Sequence, residues 1–86
     1  MTGAERGVSV TVTLYGRPGC HLCDEAREAI LALDGGRREI DLHEVDIEGD
    51  DRLMRAYLER IPVVEVGGEV VSELAFDDRE LLRRLR

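Results

Sequence analysis

Both cysteines of this 86-residue chain lie in the stretch Cys20-His21-Leu22-Cys23. Ahead of it, apolar and polar residues alternate from Val8 to Leu14, and Gly16-Arg17-Pro18-Gly19 interrupts the pattern. Behind it, apolar residues recur at helical spacing. The pattern predicts a strand, a turn and a helix, with both cysteines on the first helical turn.

Two thiols at this spacing can close a disulfide and open it again. The first thiol would also face unpaired backbone N–H groups and the positive end of the helix dipole, which favour a thiolate. These features predict a thiol–disulfide redox site, with Cys20 as the nucleophile and Cys23 as the resolving thiol. A structural bridge is the alternative, although closing so short a loop would contribute only about 2 kcal/mol to stability.

Length and composition narrow the class of protein. We expect one domain over residues 8–86, after a flexible tail at residues 1–7. No apolar run reaches membrane-spanning length and the start does not resemble a signal peptide, so we expect a cytoplasmic location. There, a lone CxxC pair is more often catalytic or metal-binding than structural. The net charge of −7 argues against nucleic-acid binding.

The middle of the chain predicts a second strand and a short helix. The strand covers Glu39 to Ile47, and a change of phase in its apolar positions predicts a bulge or a shorter strand. Asp50 is a good N-cap for the helix. The buried side of this helix would carry Leu53, Ala56, Tyr57 and Leu58.

The last third predicts a hairpin and a final helix. Two short strands flank Gly67-Gly68, which suits a two-residue turn. Asp77 and Glu80 suit a capping box at the start of the helix. The order β-α-β-α-β-β-α predicts an α/β fold, with a four-stranded mixed sheet and helices on both faces. We expect the first three strands to be parallel and the hairpin to add an antiparallel edge strand.

From Val8 onward the chain resembles the glutaredoxin-like branch of the thioredoxin superfamily. The resemblance rests on residues 15–23, on Val45-Asp46-Ile47 and on Arg60-Ile61-Pro62-Val63-Val64. It implies a thioredoxin-like fold and a glutaredoxin-like thiol–disulfide oxidoreductase. By the same resemblance, Cys20 is the exposed attacking cysteine, Cys23 resolves the mixed disulfide, and Pro62 is a cis-proline against the sulfurs.

The resemblance also suggests where a substrate binds. Arg17 lies three residues before the first cysteine, where glutaredoxins usually carry a lysine that assists glutathione binding. An extended substrate segment would pair with the backbone at Ile61 beside Pro62. Arg60 and Arg17 together would form a cationic rim that guides a carboxylate-bearing thiol or an acidic segment.

Two further residues are candidate modulators of the thiols. An imidazolium at His21 would favour the thiolate of Cys20. Tyr15, at the end of the first strand, would flank the thiols or pack against the sheet. Neither role follows from spacing alone.

The expected partners are a disulfide-containing protein or a small thiol, and an electron donor; we expect a monomer. No cofactor is expected beyond the redox-active disulfide. The chain departs from glutaredoxins at His21-Leu22 and at Arg60. It departs again at Val71-Ser72-Glu73, the region in which the family carries its glutathione-binding glycines. The donor is therefore open between glutathione and a reductase of the thioredoxin-reductase type.

A different class of function uses the same cysteines. Two thiolates are half of a tetrahedral ligand set, so two chains together could hold a metal ion or an iron–sulfur cluster. The other nitrogen ligands, His21 and His43, lack the spacing of a metal motif. No metal site within one chain is therefore expected, and the shared site stays the alternative.

Overall fold

The computed structural model describes residues 9–36 and 38–86, so the expected tail at residues 1–7 lies outside the described part. The element order is the predicted β-α-β-α-β-β-α. No described helix is both long and apolar enough to cross a membrane. The elements are β1 (Val10–Gly16), α1 (His21–Leu33), β2 (Ile40–Asp46), a 3-10 turn (Ile47–Gly49), α2 (Asp51–Tyr57), β3 (Val63–Val66), β4 (Glu69–Glu73) and α3 (Arg79–Arg84).

The four strands form one mixed sheet in the order β2-β1-β3-β4. β1 runs parallel to β2, from Val10 against Ile40 to Gly16 against Asp46. β3 is antiparallel to β1, and β4 is antiparallel to β3. The mixed sheet is confirmed. The expectation that the first three strands are parallel is wrong, because β3 runs the other way.

The lengths of the connecting helices explain this direction. The seven residues of β1 extend about 23 Å, and the thirteen of α1 extend about 20 Å. α1 therefore returns the chain to the end of the sheet where β1 began, so β2 runs parallel to β1. The seven residues of α2 extend only about 10 Å. α2 therefore spans only about half the length of a strand and does not by itself return the chain along the sheet, and β3 starts near the end of the sheet where β2 ended.

The shorter strand that the change of phase predicts is confirmed: β2 covers Ile40–Asp46, and its register with β1 is continuous. Ile47 leaves the strand for the 3-10 turn, where it is fully buried. The break in register occurs between β3 and β4, at Val64/Glu65. Gly67 and Gly68 form the predicted two-residue turn, with φ of 61° and 84°.

Helices cover both faces of the sheet, as predicted. α1 and α3 pack on one face through a core of Val12, Leu14, Ala26, Ile30, Ile40, Val64, Val66, Leu81 and Leu85. α2 covers the other face, where the ring of Tyr57 lies 4.9 Å from that of Tyr15, centroid to centroid. Val63 alternates with Val64 along β3 and is fully buried beneath this second layer.

α2 buries less than its sequence suggested. Leu53 and Tyr57 are half-buried, whereas Ala56 and Leu58 are exposed, so the last two were placed on the wrong side. A helix of two turns shields only part of a sheet face, and no residue of α2 is fully buried. Asp50 is its N-cap, as predicted, and accepts hydrogen bonds from Arg52 N and Leu53 N.

The predicted capping box of the last helix is absent. α3 begins at Arg79, and the Asp77 carboxylate accepts from Arg79 N at 3.0 Å. Glu80 does not reach back, because the Asp77 N–H already donates to Ser72 Oγ at 3.1 Å. Glu80 instead pairs with Arg83. The start of α3 is therefore held by Asp77 and Ser72.

Acid should weaken this start of α3. Hydrogen bonds from Arg79 lower the pKa of Asp77 from 3.8 to about 2. Because the folded pKa is the lower one, this carboxylate stabilises the fold fully above about pH 4, and the contribution is lost as the pH falls towards 2. We expect Asp77→Asn to melt below the wild type near neutral pH and to approach it near pH 2. Thermal melts across this range test it.

The matched control for this series is Asp78→Asn, because Asp78 makes no side-chain capping hydrogen bond. Its melting temperature should follow that of the wild type at each pH. A constant difference between Asp77→Asn and the wild type at every pH would contradict the prediction.

Candidate active site

Cys20 caps α1. It has extended backbone angles (φ −89°, ψ 107°), and its Sγ accepts a hydrogen bond from Cys23 N at 3.1 Å. The sulfur therefore sits against the first-turn N–H groups of α1, where the helix dipole is positive. Both the hydrogen bond and the dipole favour a thiolate over a thiol at Cys20.

The two sulfurs are bonded to each other but differ in exposure. Cys20 and Cys23 form a disulfide, with their Cα atoms 5.2 Å apart. Cys20 is half-buried, whereas Cys23 is only 4% exposed. An outer sulfur within reach of solvent and an inner sulfur inside the fold fit the roles predicted for attack and resolution.

Gly16, at the end of β1, lies directly against the inner sulfur. A Cβ at this position would be 2.9 Å from the Sγ of Cys23 and 3.1 Å from its Cβ. Only glycine lets β1 end so close to the disulfide. Sequence reasoning missed this residue because a glycine between a strand and a helix is more commonly explained by the turn. The turn itself depends on Gly19, whose φ is +78°.

The Ile61–Pro62 peptide bond is cis, as the resemblance implied. Pro62 is buried and directly precedes β3, where Val63 pairs with Tyr15. This pairing places Pro62 next to Gly16 at the end of the sheet. The Ile61 N–H already donates to Tyr57 O at 3.0 Å. The predicted pairing of a substrate with Ile61 would therefore use its carbonyl.

The two arginines of the expected cationic rim are both paired within the chain. Arg17 Nη2 lies 2.9 Å from Glu48 Oε2. Arg60 makes two contacts with the carboxylate of Glu73 and lies over the ring of Tyr57, 5.4 Å from its centroid. Arg60 also holds the pKa of Glu73 below its usual value through this hydrogen bond. The rim is thus largely neutralised.

The two candidate modulators have partners other than the sulfurs. His21 Nε2 lies 3.0 Å from Glu25 Oε2, one helical turn on, with its side chain 85% exposed. The Tyr15 hydroxyl donates a hydrogen bond to Glu65 Oε1 at 3.1 Å. Burial is the larger cause of the raised pKa of Tyr15, and the neighbouring Glu65 raises this pKa further. Tyr15 therefore packs in the α2 layer, and the modulating roles stay predictions.

A small cleft opens beside the inner sulfur, on the β2 side. Its volume is about 250 Å³, and Gly16, Arg17 and Cys23 are among the residues that line it. Arg27 lies in its wall and joins α1 to β2: its Nε donates to Glu44 at 2.8 Å and its Nη2 to Asp24 at 2.9 Å. Arg27 therefore faces two carboxylates, and with Asp46 also in the wall the cleft carries more acidic than basic side chains.

Within residues 9–36 and 38–86, no three histidine, cysteine or acidic side chains are grouped so as to hold a metal ion. His43 instead lies 3.1 Å from Asp41 on the exposed side of β2. The alternative of a metal or cluster site shared between two chains stays untested.

The family comparison agrees with this geometry. The model of the Glutaredoxin-like domain (DUF836) matches residues 11–86. The chain belongs to this family. The match runs from β1 through α3, so it includes the cysteine pair, the cis-proline and the hairpin of this glutaredoxin-like protein.

Two solved structures resemble the glutaredoxin-like chain over most of their length. Protein Ne2328 from Nitrosomonas europaea has a TM-score of 0.79 and 26% identity, covering 90% of this chain and 92% of its own. Protein XcR50 from X. campestris has a TM-score of 0.69 and 36% identity, covering 86% and 93%. The search of curated proteins gave no match. Together with the family match, these structures confirm the thioredoxin-like fold.

Proposed function

We propose that this glutaredoxin-like protein is a thiol–disulfide oxidoreductase that cycles between the Cys20/Cys23 dithiol and the disulfide. The observation that carries the proposal is the asymmetry of the two sulfurs. The outer one caps a helix and is partly exposed, and the inner one is buried against Gly16. Such an arrangement prepares one sulfur for attack and keeps the other for resolution.

The cycle begins when the Cys20 thiolate attacks one sulfur of a substrate disulfide. A mixed disulfide forms, the substrate S–S bond breaks, and the first substrate sulfur leaves as a thiolate. Cys23 then loses its proton and attacks the Cys20 sulfur, which releases the second substrate sulfur. Two electrons pass from the cysteine pair to the substrate, and the two released thiolates take up protons. The Cys23 N–H, 3.1 Å from Cys20 Sγ, would stabilise the attacking thiolate.

A thiol donor must reduce the Cys20–Cys23 disulfide again, with its own sulfurs oxidised in exchange. Glutathione and a dithiol reductase are the two donor classes that we propose, with a disulfide-bearing protein or a small disulfide as substrate. The cycle suits a monomer in a reducing compartment such as the cytoplasm, because the donor must be kept reduced there.

The proposal is tested by alkylating the reduced protein across a range of pH, with each cysteine followed by mass spectrometry. We expect Cys20 to reach half its maximal rate at a pH between about 3.5 and 7.5, below the 8.5 or so of free cysteine. Cys23 should react far more slowly because it is buried. A half-point near 8.5, with both cysteines equally reactive, would contradict the proposal.

The reduction potential of the Cys20–Cys23 couple, measured on the same protein, identifies the donor class. Equilibration with a glutathione buffer gives the potential of the couple. A value of about −200 to −230 mV with a glutathione adduct would favour glutathione, and one near −270 mV without an adduct would favour a dithiol reductase.

A further inference from the structure

Leu74 adopts a backbone conformation that leucine rarely takes. Its φ is 62°, and among the described residues every other positive φ belongs to a glycine. Its side chain is also 52% exposed. A bulky residue in the left-handed region is disfavoured, and such residues concentrate at ligand-binding and active sites. Nothing in the packing of the core explains why leucine stands here.

Two contacts hold Leu74 beside the cis-proline loop. Its N–H donates to Arg60 O at 3.0 Å. The preceding residue, Glu73, pairs with the Arg60 guanidinium. Because Arg60 is two residues before Pro62, the segment after β4 is fastened to the loop that enters β3.

The sheet register brings this segment to the end of the sheet that carries the disulfide. Tyr15 pairs with Val63, and Val63 pairs with Glu73. Leu74 follows Glu73 at this end of the sheet, and its hydrogen bond to Arg60 O places it beside the residues that lead into Pro62. Tyr15 is followed by Gly16, which lies against the inner sulfur, so Leu74 and the disulfide are at the same end of the sheet.

A second exposed leucine lies on the first turn of α1. Leu22, between the two cysteines, is 45% exposed. The disulfide is therefore accompanied by one apolar side chain on α1 and another on the loop after β4. Arg17 and Arg60 are by contrast engaged by Glu48 and Glu73.

We propose that Leu74, with Leu22, selects substrates whose disulfide is carried by a polypeptide with an apolar residue next to the cysteine. This inference rests on the proposed function. A small acidic thiol would have to displace a carboxylate from each arginine and approach a chain of net charge −7. An apolar neighbour of the substrate cysteine instead covers leucine surface that is otherwise in water.

The test uses two synthetic peptides, each joined through its single cysteine to a fluorescent reporter thiol. They differ only in the residues on either side of the cysteine, leucine in one and serine in the other. The reduced full chain is mixed with each peptide in single-turnover experiments. We expect the wild type to reduce the leucine peptide about tenfold faster than the serine peptide. A tenfold ratio corresponds to the partial burial of roughly one apolar side chain.

Leu74→Gly suits the backbone conformation, so it should fold, and its rate ratio should fall to about threefold or less. Leu74→Met should retain most of the ratio. Leu31→Ala is the matched control, because Leu31 is 48% exposed near the far end of α1. It should retain the ratio in full.

The outcomes separate the two proposals. Equal rates for the two peptides in the wild type, or an unchanged ratio in Leu74→Gly, would overturn this inference and leave the oxidoreductase standing. Faster reduction of glutathione disulfide than of the leucine peptide would also overturn it. Failure of the wild type to reduce any of these disulfides would overturn both.

Discussion

Replacing Cys20 with serine is expected to lower the rate of disulfide reduction by at least about 10³-fold, because the hydroxyl cannot replace the thiolate as nucleophile. The helix N-terminus would stabilise the Cys20 thiolate. It would not activate a serine at this position to a comparable extent. Turnover of a small disulfide with excess reductant measures the effect.

The matched variant is Cys23→Ser, which keeps the nucleophile and removes the resolving thiol. We expect it to attack once and stop at a mixed disulfide on Cys20, visible by intact-mass spectrometry and removed by reductant. A Cys20→Ser protein that forms a mixed disulfide on Cys23 instead would show that the roles of the two sulfurs are reversed. Substantial turnover by Cys20→Ser would exclude the proposed chemistry.

Gly16→Ala is expected to lower the free energy of unfolding of the oxidised protein by about 1–3 kcal/mol, the usual cost of forcing an extra carbon into a packed site. The new Cβ would meet the Cys23 sulfur at 2.9 Å. That sulfur is fixed by the disulfide and cannot swing aside. For a domain of this size, the melting temperature should fall by roughly 4–8 °C per kcal/mol.

Gly49→Ala is the control for this substitution. Gly49 ends the 3-10 turn, its φ is not positive, and a Cβ there would meet nothing within 4 Å. Its unfolding free energy should stay within about 0.5 kcal/mol of the wild type. Thermal melts of both oxidised variants make the comparison. A Gly16→Ala protein as stable as Gly49→Ala would show that the end of β1 can move away from the disulfide.

The features predicted from sequence are those fixed by neighbouring residues. The start of α1 at the cysteines, the N-cap at Asp50 and the Gly67-Gly68 turn all depend on a few consecutive positions. Each of them is found in the structure. The cysteine pair belongs to the same class, because its two members are one helical turn apart.

The features that could not be predicted depend on residues distant in sequence. The partners of Arg17 and Arg60 are 31 and 13 residues away, so the pairing of these arginines could not be predicted from neighbouring residues. The close contact of Gly16 with Cys23 requires the packing of β1 against α1. The capping box failed for a different reason: Ser72 is only five residues from Asp77, but its hydroxyl accepts the hydrogen bond from Asp77 N that Glu80 was expected to accept.

The short length of α2 determines which residues lie next to the end of β1 that carries Gly16. Because the chain turns back after two helical turns, the first residues of β3 meet the last residues of β1. A connection twice as long would favour a parallel β3, and Pro62 would then enter the sheet about 20 Å away, at the edge where β1 begins. The proline and the cysteines are neighbours because one helix is too brief to separate them.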